Sequence, residues 1–297
     1  MSLPRENPRI PEGINASEEN PLKEFAQLAL GVALGLVVLA VALSLLARLL
    51  APYVPFSWEQ PFTPVVTAVL AQSPNEPGDV ADATVALETL AQALLASSLT
   101  VPIGEHDAAA QVPADAFSFH LVRSDMPNAF ATLGATIMVT DELPRKISSE
   151  NGLAMVIAHE IAHVQLRHPI EATSRGVVIQ VALIALLGQS ANSLLGGAIS
   201  TGGAITMLSF NRDMERVADE RALQILQQHY GHLGGADEFF VSMDADEDTG
   251  QWLEFIQTHP NTDDRIAFIR AAIAAAGGAG ELAPMPLALC VPDVQDD

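Results

Sequence analysis

Apolar and polar positions divide the chain unevenly. Residues 1–24 are polar and carry Pro4, Pro8, Pro11 and Pro21, a pattern that predicts a flexible tail. Residues 25–47, FAQLALGVALGLVVLAVALSLLA, hold no charge. At about 1.5 Å per helical residue this run reaches about 34 Å, enough to cross a hydrocarbon core of ~30 Å. It is longer than the apolar part of a secretory signal and no clear A-x-A pattern follows, so a retained transmembrane anchor is expected. Residues 48–80 are rich in proline and read as a linker. Beyond them, residues 83–98 have helical periodicity, FSFHLVRS alternates like a strand, and AFATLGATIMVT reads as paired strands around Gly134. Ser148 or Ser149 is placed to cap a helix running through residue 160. RDMERVADERALQILQQHY predicts an amphipathic helix, and DDRIAFIRAAIAAAG a last one ending at Gly277. Two further apolar stretches, 176–188 and 190–208, are short for membrane spans and read as a helical hairpin packed on the domain, with a hairpin dipping into the bilayer beside the anchor as the alternative. The expected architecture is α+β, mostly helical, with a small β-sheet. A main domain at 81–277 follows one transmembrane helix and precedes an acidic tail at 278–297.

Charge narrows the partners. The net charge of −22 argues against nucleic acid, whose phosphates call for a basic surface. A single cysteine, Cys290, excludes an internal disulfide and any multi-cysteine metal site. Arg5, Arg9 and Lys23 precede the apolar run, whereas only Arg48 follows it before Arg123. That bias places the N-terminus in the cytoplasm and the main domain outside a bacterial inner membrane, held to lipid by a single pass.

Within the helix expected around residue 160, the segment AMVIAHEIAHVQLRH is apolar almost throughout, yet it contains His159, Glu160 and His163. On a helix, positions i and i+4 share a face, so both imidazoles can hold one metal ion while Glu160 stands beside it. This is H-E-x-x-H, two zinc ligands and a general base. A cation between them also removes the cost of burying these groups unpaired. A catalytic zinc needs a third protein ligand, and FNRDMERVADE offers Glu215, with Asp219 one turn on to hold a ligand imidazole from behind.

HEIAH, then ERVAD, then THPNTDDRI, preceded by PNAFATLGATIMVT, together resemble the HtpX and CAAX-prenyl-protease group of gluzincin metallopeptidases, over about residues 80–275. Where the group often has Ser-Arg ahead of the glutamate, this chain has Asn211-Arg212, which touches only the local hydrogen bonding. The resemblance implies one zinc ion per chain, held by His159, His163 and Glu215, with Glu160 as catalytic base. It implies that Asn128, Ala129 and Ala131 form an edge strand binding the backbone of a polypeptide substrate. It places His259 over the metal, with Arg265 near it. Two roles for His259 stay open: donating to the oxyanion of the transition state, or occupying the metal at rest. The expected function is a zinc endopeptidase acting on misfolded or misassembled envelope proteins; a chaperone-like binder of unfolded chains is the alternative. Among the remaining histidines, His106, His120, His168, His229 and His232 show no second metal spacing and read as structural or solvent-facing. DADEDTG lacks the downstream spacing of an EF-hand and reads as a solvated acidic loop.

Overall fold

The computed structural model describes residues 20–62, 79–102, 112–174, 210–245, 249–260, 263–278 and 280–290. Helix α1 (Pro21–Leu50) contains the whole apolar run and begins four residues before it. The Asn20 side chain accepts from the Leu22 N–H at 3.0 Å, and Pro21 occupies the first position, where no N–H is needed. The helix is long and apolar enough to cross a membrane, and its apolar window is not buried against the rest of the chain.

Residues 51–62 lie in the stretch expected as a linker. They form three short 3-10 turns, Ala51–Tyr53, Phe56–Trp58 and Gln60–Phe62, with Ala51, Phe56 and Glu59 buried. Phe56 belongs to the main hydrophobic core. Helix α2 (Asp79–Ser98) follows, and Ala83, Leu87, Leu90, Ala91 and Leu94 line its buried face at the spacing of an amphipathic helix.

Strands β1 (Ser118–Val122), β2 (Ala129–Thr132) and β3 (Thr136–Thr140) make one sheet in the order β1-β3-β2. β1 runs parallel to β3 and β2 antiparallel to it, with Ala129 opposite Val139 and Ala131 opposite Ile137. Gly134 and Ala135 turn the β2–β3 hairpin with φ of 77° and 57°. β2 is therefore an edge, and it packs on helix α4 (Glu150–Gln165). A short helix α3 (Glu142–Arg145) links the sheet to α4.

Every residue of α4 after Glu150 is buried. Its cap is Ser149, whose Oγ accepts from the Gly152 N–H at 3.1 Å. The chain near residue 284 clasps the same end. Pro284 bridges Ser149, the Glu150 N–H donates to the Ala283 carbonyl at 3.0 Å, and the Ala283 N–H donates to Asn151 Oδ1 at 2.8 Å. Met285 and Leu289 are buried, so the stretch expected as a tail contributes to the fold as far as residue 290.

Helix α5 (Arg212–Tyr230) packs along α4. Asn211 caps it, accepting from the Met214 N–H at 3.0 Å, and Gly231 ends it in the left-handed region at φ 77°. Helices α6 (Glu238–Ala245), α7 (Leu253–Thr258) and α8 (Asp263–Ala275) close the domain around Trp252 and Phe239. The apolar hairpin expected at 176–208 and most of the polar tail lie outside the described residues, as do 246–248 of the acidic loop.

Candidate functional site

The site forms where α4 crosses α5. The one-turn spacing of His159 and His163 brings their Nε2 atoms to 2.9 Å from each other. From α5, Glu215 faces both: Oε2 lies 3.3 Å from His159 Nε2 and Oε1 lies 3.4 Å from His163 Nε2. All three residues are buried. Two imidazole nitrogens and a carboxylate converging inside a protein make a donor set that a divalent cation completes, and the residues present fit such an ion. With His259 included, ligand atoms of the four residues lie within 4.8 Å of one another.

The outer partners are equally defined. His159 turns its Nδ1 to Asp219 Oδ1 at 2.9 Å. Arg265 grips Asp219 with two nitrogens, Nε at 2.7 Å and Nη2 at 2.8 Å, and reaches Glu215 Oε2 with Nη1 at 2.6 Å. Phe240 lies under the guanidinium, 5.3 Å away. This bidentate fork holds both carboxylates of α5 in place.

Electrostatics follow from these contacts. Burial opposes charge on His159, but Asp219 and Glu215 outweigh it and raise the imidazole to about 10. Burial and the neighbouring His159 push His163 well below its usual value. Burial would raise Glu215 and Asp219, yet the histidines and Arg265 hold both below the usual carboxylate range. Glu160 behaves differently. Burial raises its carboxyl, with His259 and His159 pulling the other way. Neither oxygen of Glu160 has a hydrogen-bond partner of good geometry among the described residues. A buried carboxyl with free lone pairs and a raised pKa suits a group that takes up and returns a proton.

His259 stands between the two acids of the site. Its Nδ1 is 3.2 Å from Glu215 Oε1 and its Nε2 is 3.5 Å from Glu160 Oε1. Phe255 stacks on its ring at 4.8 Å. The edge strand lies alongside. The Thr140 N–H donates to the Asn128 carbonyl at 2.9 Å, so Asn128 directs its backbone toward β3. Antiparallel alternation then turns the backbone groups of Ala129 and Ala131 away from β3, to the edge that pairs with no other strand among the described residues, although both residues are buried. The Ala131 N–H lies close enough to Glu160 to favour its charged form. The Asn128 amide is buried, and among the described residues neither of its side-chain atoms is paired.

Two residues of the site carry no motif. His168, expected to be structural or solvent-facing, is buried with its Nδ1 2.8 Å from His163 Nδ1, which makes it the outer partner of the second imidazole. Its spacing of five residues after His163, across a turn at Leu166 and Arg167, gives no helical-face signal. Phe210 stacks on His163 at 3.9 Å and hydrogen-bonds to the Thr258 carbonyl through its N–H. Its place immediately before the α5 cap was the available signal. Of the other histidines, His229 pairs with Ser97, the His232 ring accepts from Gly234 N–H, and His120 sits on β1. His106 lies outside the described residues.

Comparison with known proteins agrees with this geometry. The chain is 33% identical over 157 residues to mitochondrial metalloendopeptidase OMA1 of Schizosaccharomyces pombe, covering 50% of this chain and 44% of that one. It is 31% identical over 166 residues to the beta-barrel assembly-enhancing protease of Yersinia pestis, covering 52% of this chain and 34% of the relative. The Escherichia coli protein of the same name is 29% identical over 185 residues, or 59% and 37% of the two chains. The chain thus spans less than half the length of these relatives. Residues 96–273, which include the whole metal cluster and Arg265, match the family model for peptidase family M48, and the chain belongs to that family.

Proposed function

We propose that the protein is a membrane-anchored zinc endopeptidase whose substrates are misfolded or misassembled polypeptides of a bacterial envelope. The observation that carries this is the convergence of His159, His163 and Glu215 beside the buried carboxyl of Glu160, next to the edge strand β2. Zinc is the metal that two imidazoles and one carboxylate favour, and when bound it would polarise a peptide carbonyl and acidify water. An extended client adds itself to β2 through the backbone of Ala129 and Ala131, with Asn128 at the start of that edge. Glu160 takes a proton from water and returns it to the leaving amine. Asp219 and Arg265 keep His159 and Glu215 oriented throughout.

For the envelope, the support is the basic flank before α1, the apolar length of α1 and the kinship with proteases named for beta-barrel assembly. The decisive comparison is between membranes carrying the parent chain and the Glu160→Gln chain. Clients should persist in the variant, with turnover lower by about 10²–10⁴-fold and metal content unchanged. Equal client levels in both would favour a binder of unfolded chains that does not cut them.

A second reading concerns His259 alone. Its ring lies in ligand range of the same point as His159, His163 and Glu215, and all four are buried. This favours a resting state in which His259 occupies the fourth metal position, so that peptide entry displaces it. His259→Ala then raises basal cleavage of a short unstructured peptide. A fall of roughly 10²–10³-fold would instead assign it to the oxyanion.

A further inference from the structure

The passage from α1 into the catalytic domain contains no slack. α1 ends at Leu50, and the next residue, Ala51, is already buried at 3% exposure. Five residues later Phe56 enters the core, and Glu59 is buried beyond it. Glu59 forms an ion pair with Arg167 just past the end of α4, and its other oxygen accepts from the Gly134 N–H in the β2–β3 turn at 3.2 Å. Arg167 also donates to the Val54 carbonyl at 2.8 Å and lies over the Phe56 ring at 5.7 Å. The segment 51–62 is thus a strap. Its inner face is fixed both to the metal helix and to the hairpin that carries the edge strand.

The outer face of the strap is aromatic. Tyr53 is 69% exposed and Trp58 is 68% exposed, and Leu49 and Leu50 at the end of the span are exposed as well. With an apolar run of about 34 Å against a ~30 Å core, the last turn of α1 lies at the membrane boundary. Residues attached rigidly just beyond it lie at headgroup depth. Tyr and Trp concentrate there because a ring can rest in the acyl boundary while its O–H or N–H stays hydrated. The chain as a whole, at −22, would not adhere to an anionic bilayer by charge, so this contact falls to the aromatic pair.

We propose that Tyr53 and Trp58 seat the strap in the lipid headgroup layer. The catalytic domain then rests directly on the bilayer, and its edge strand is held at a fixed short height above the surface. The partner is the lipid surface itself. The client is then a polypeptide segment emerging from the membrane or lying against it. This rests on reading α1 as a membrane anchor.

The chain contains two tryptophans, and the second, Trp252, is fully buried, so Trp58 emission is read as the difference between the parent and Trp58→Phe. The full chain is reconstituted into phosphatidylcholine vesicles and recovered by flotation, then prepared with lipids brominated at shallow or deep acyl positions. Trp58 emission should be blue-shifted and quenched more by shallow than by deep bromines, and Trp58→Phe should abolish that quenching. Water-like emission, open to aqueous iodide and untouched by either lipid, overturns the proposal while leaving the anchor intact. Protection from iodide that grows with protein density, without bromolipid quenching, also overturns it and assigns the face to a second copy. Failure to float removes both the anchor and the docking. As a functional readout, Tyr53→Ala with Trp58→Ala should raise KM for a client tethered to the vesicle and leave kcat/KM for a soluble peptide unchanged. Equal effects on the two substrates would overturn the docking role.

Discussion

Two buried ionic clusters lie within this domain, and they treat charge in opposite ways. Around the metal site, Arg265 holds Asp219 and Glu215, and all three are shifted toward their charged forms despite burial. In the strap, burial raises Glu59 and lowers Arg167, so each is shifted toward neutrality even though they are paired. The difference lies in the number of partners. Asp219 meets His159 and a two-nitrogen fork, and Glu215 meets three imidazoles and Arg265. Glu59 meets one guanidinium and one backbone N–H. A buried ion pair becomes net favourable only when further hydrogen bonds satisfy its remaining atoms. The site cluster meets that condition, whereas the strap pair is a latch held near balance.

The largest effect that separates the two clusters should come from Arg265→Ala. Removing that guanidinium leaves two buried carboxylates with imidazole partners alone, at a cost of about 3–5 kcal/mol in denaturant unfolding of the metal-free protein. A loss no larger than that of Arg167→Ala would erase the difference between the clusters. Next come the outer partners of the imidazoles. Asp219→Ala should weaken metal affinity by about 10–100-fold in a chelator competition. His168→Ala should weaken it less, because an imidazole supports His163 where a carboxylate supports His159, and His168→Gln should recover part of the loss. If His168→Ala left affinity unchanged, its 2.8 Å approach to His163 would be packing alone.

The smallest effect concerns the strap pair. Glu59→Gln together with Arg167→Met should leave stability at neutral pH unchanged or slightly higher. Its pH dependence has a definite sign. Glu59 keeps its proton to higher pH in the folded chain than in the unfolded one, where 4.5 applies. Its favourable contribution is therefore complete below that value and is lost as pH rises through the raised one. The double variant, with no such proton, should gain on the parent as pH rises from 4.5 toward neutrality. A gap that closed over that range in thermal unfolding would reverse the assignment.

Legibility from sequence follows the same division. The ligand helix could be read because three residues at fixed helical spacing carry the chemistry, and Glu215 with Asp219 repeat that logic on α5. The hairpin around Gly134 and the helices near 83–98, 212–230 and 263–277 were visible in their periodicities. His259 and Arg265 were reachable only through family resemblance, since they lie 44 and 50 residues beyond Glu215 with no periodic relation to it. The strap was not legible. A proline-rich stretch has no amphipathic period, and Glu59 meets Arg167 across 108 residues of chain. The clasp at Pro284 failed to register for the same reason: a single bridge and two hydrogen bonds leave no compositional trace.

That clasp sets an order on biogenesis. The first turn of the metal helix is supported by Ala283 and Pro284, more than a hundred residues downstream, and Glu215 and His259 must also arrive before the cluster can close. Contacts of such long sequence separation form late, when most of the chain is already available. While the polypeptide is still emerging, its H-E-x-x-H helix is therefore an unsupported segment without a working centre. The cluster can close only after His259 and the clasp at residues 283–284 have joined that helix.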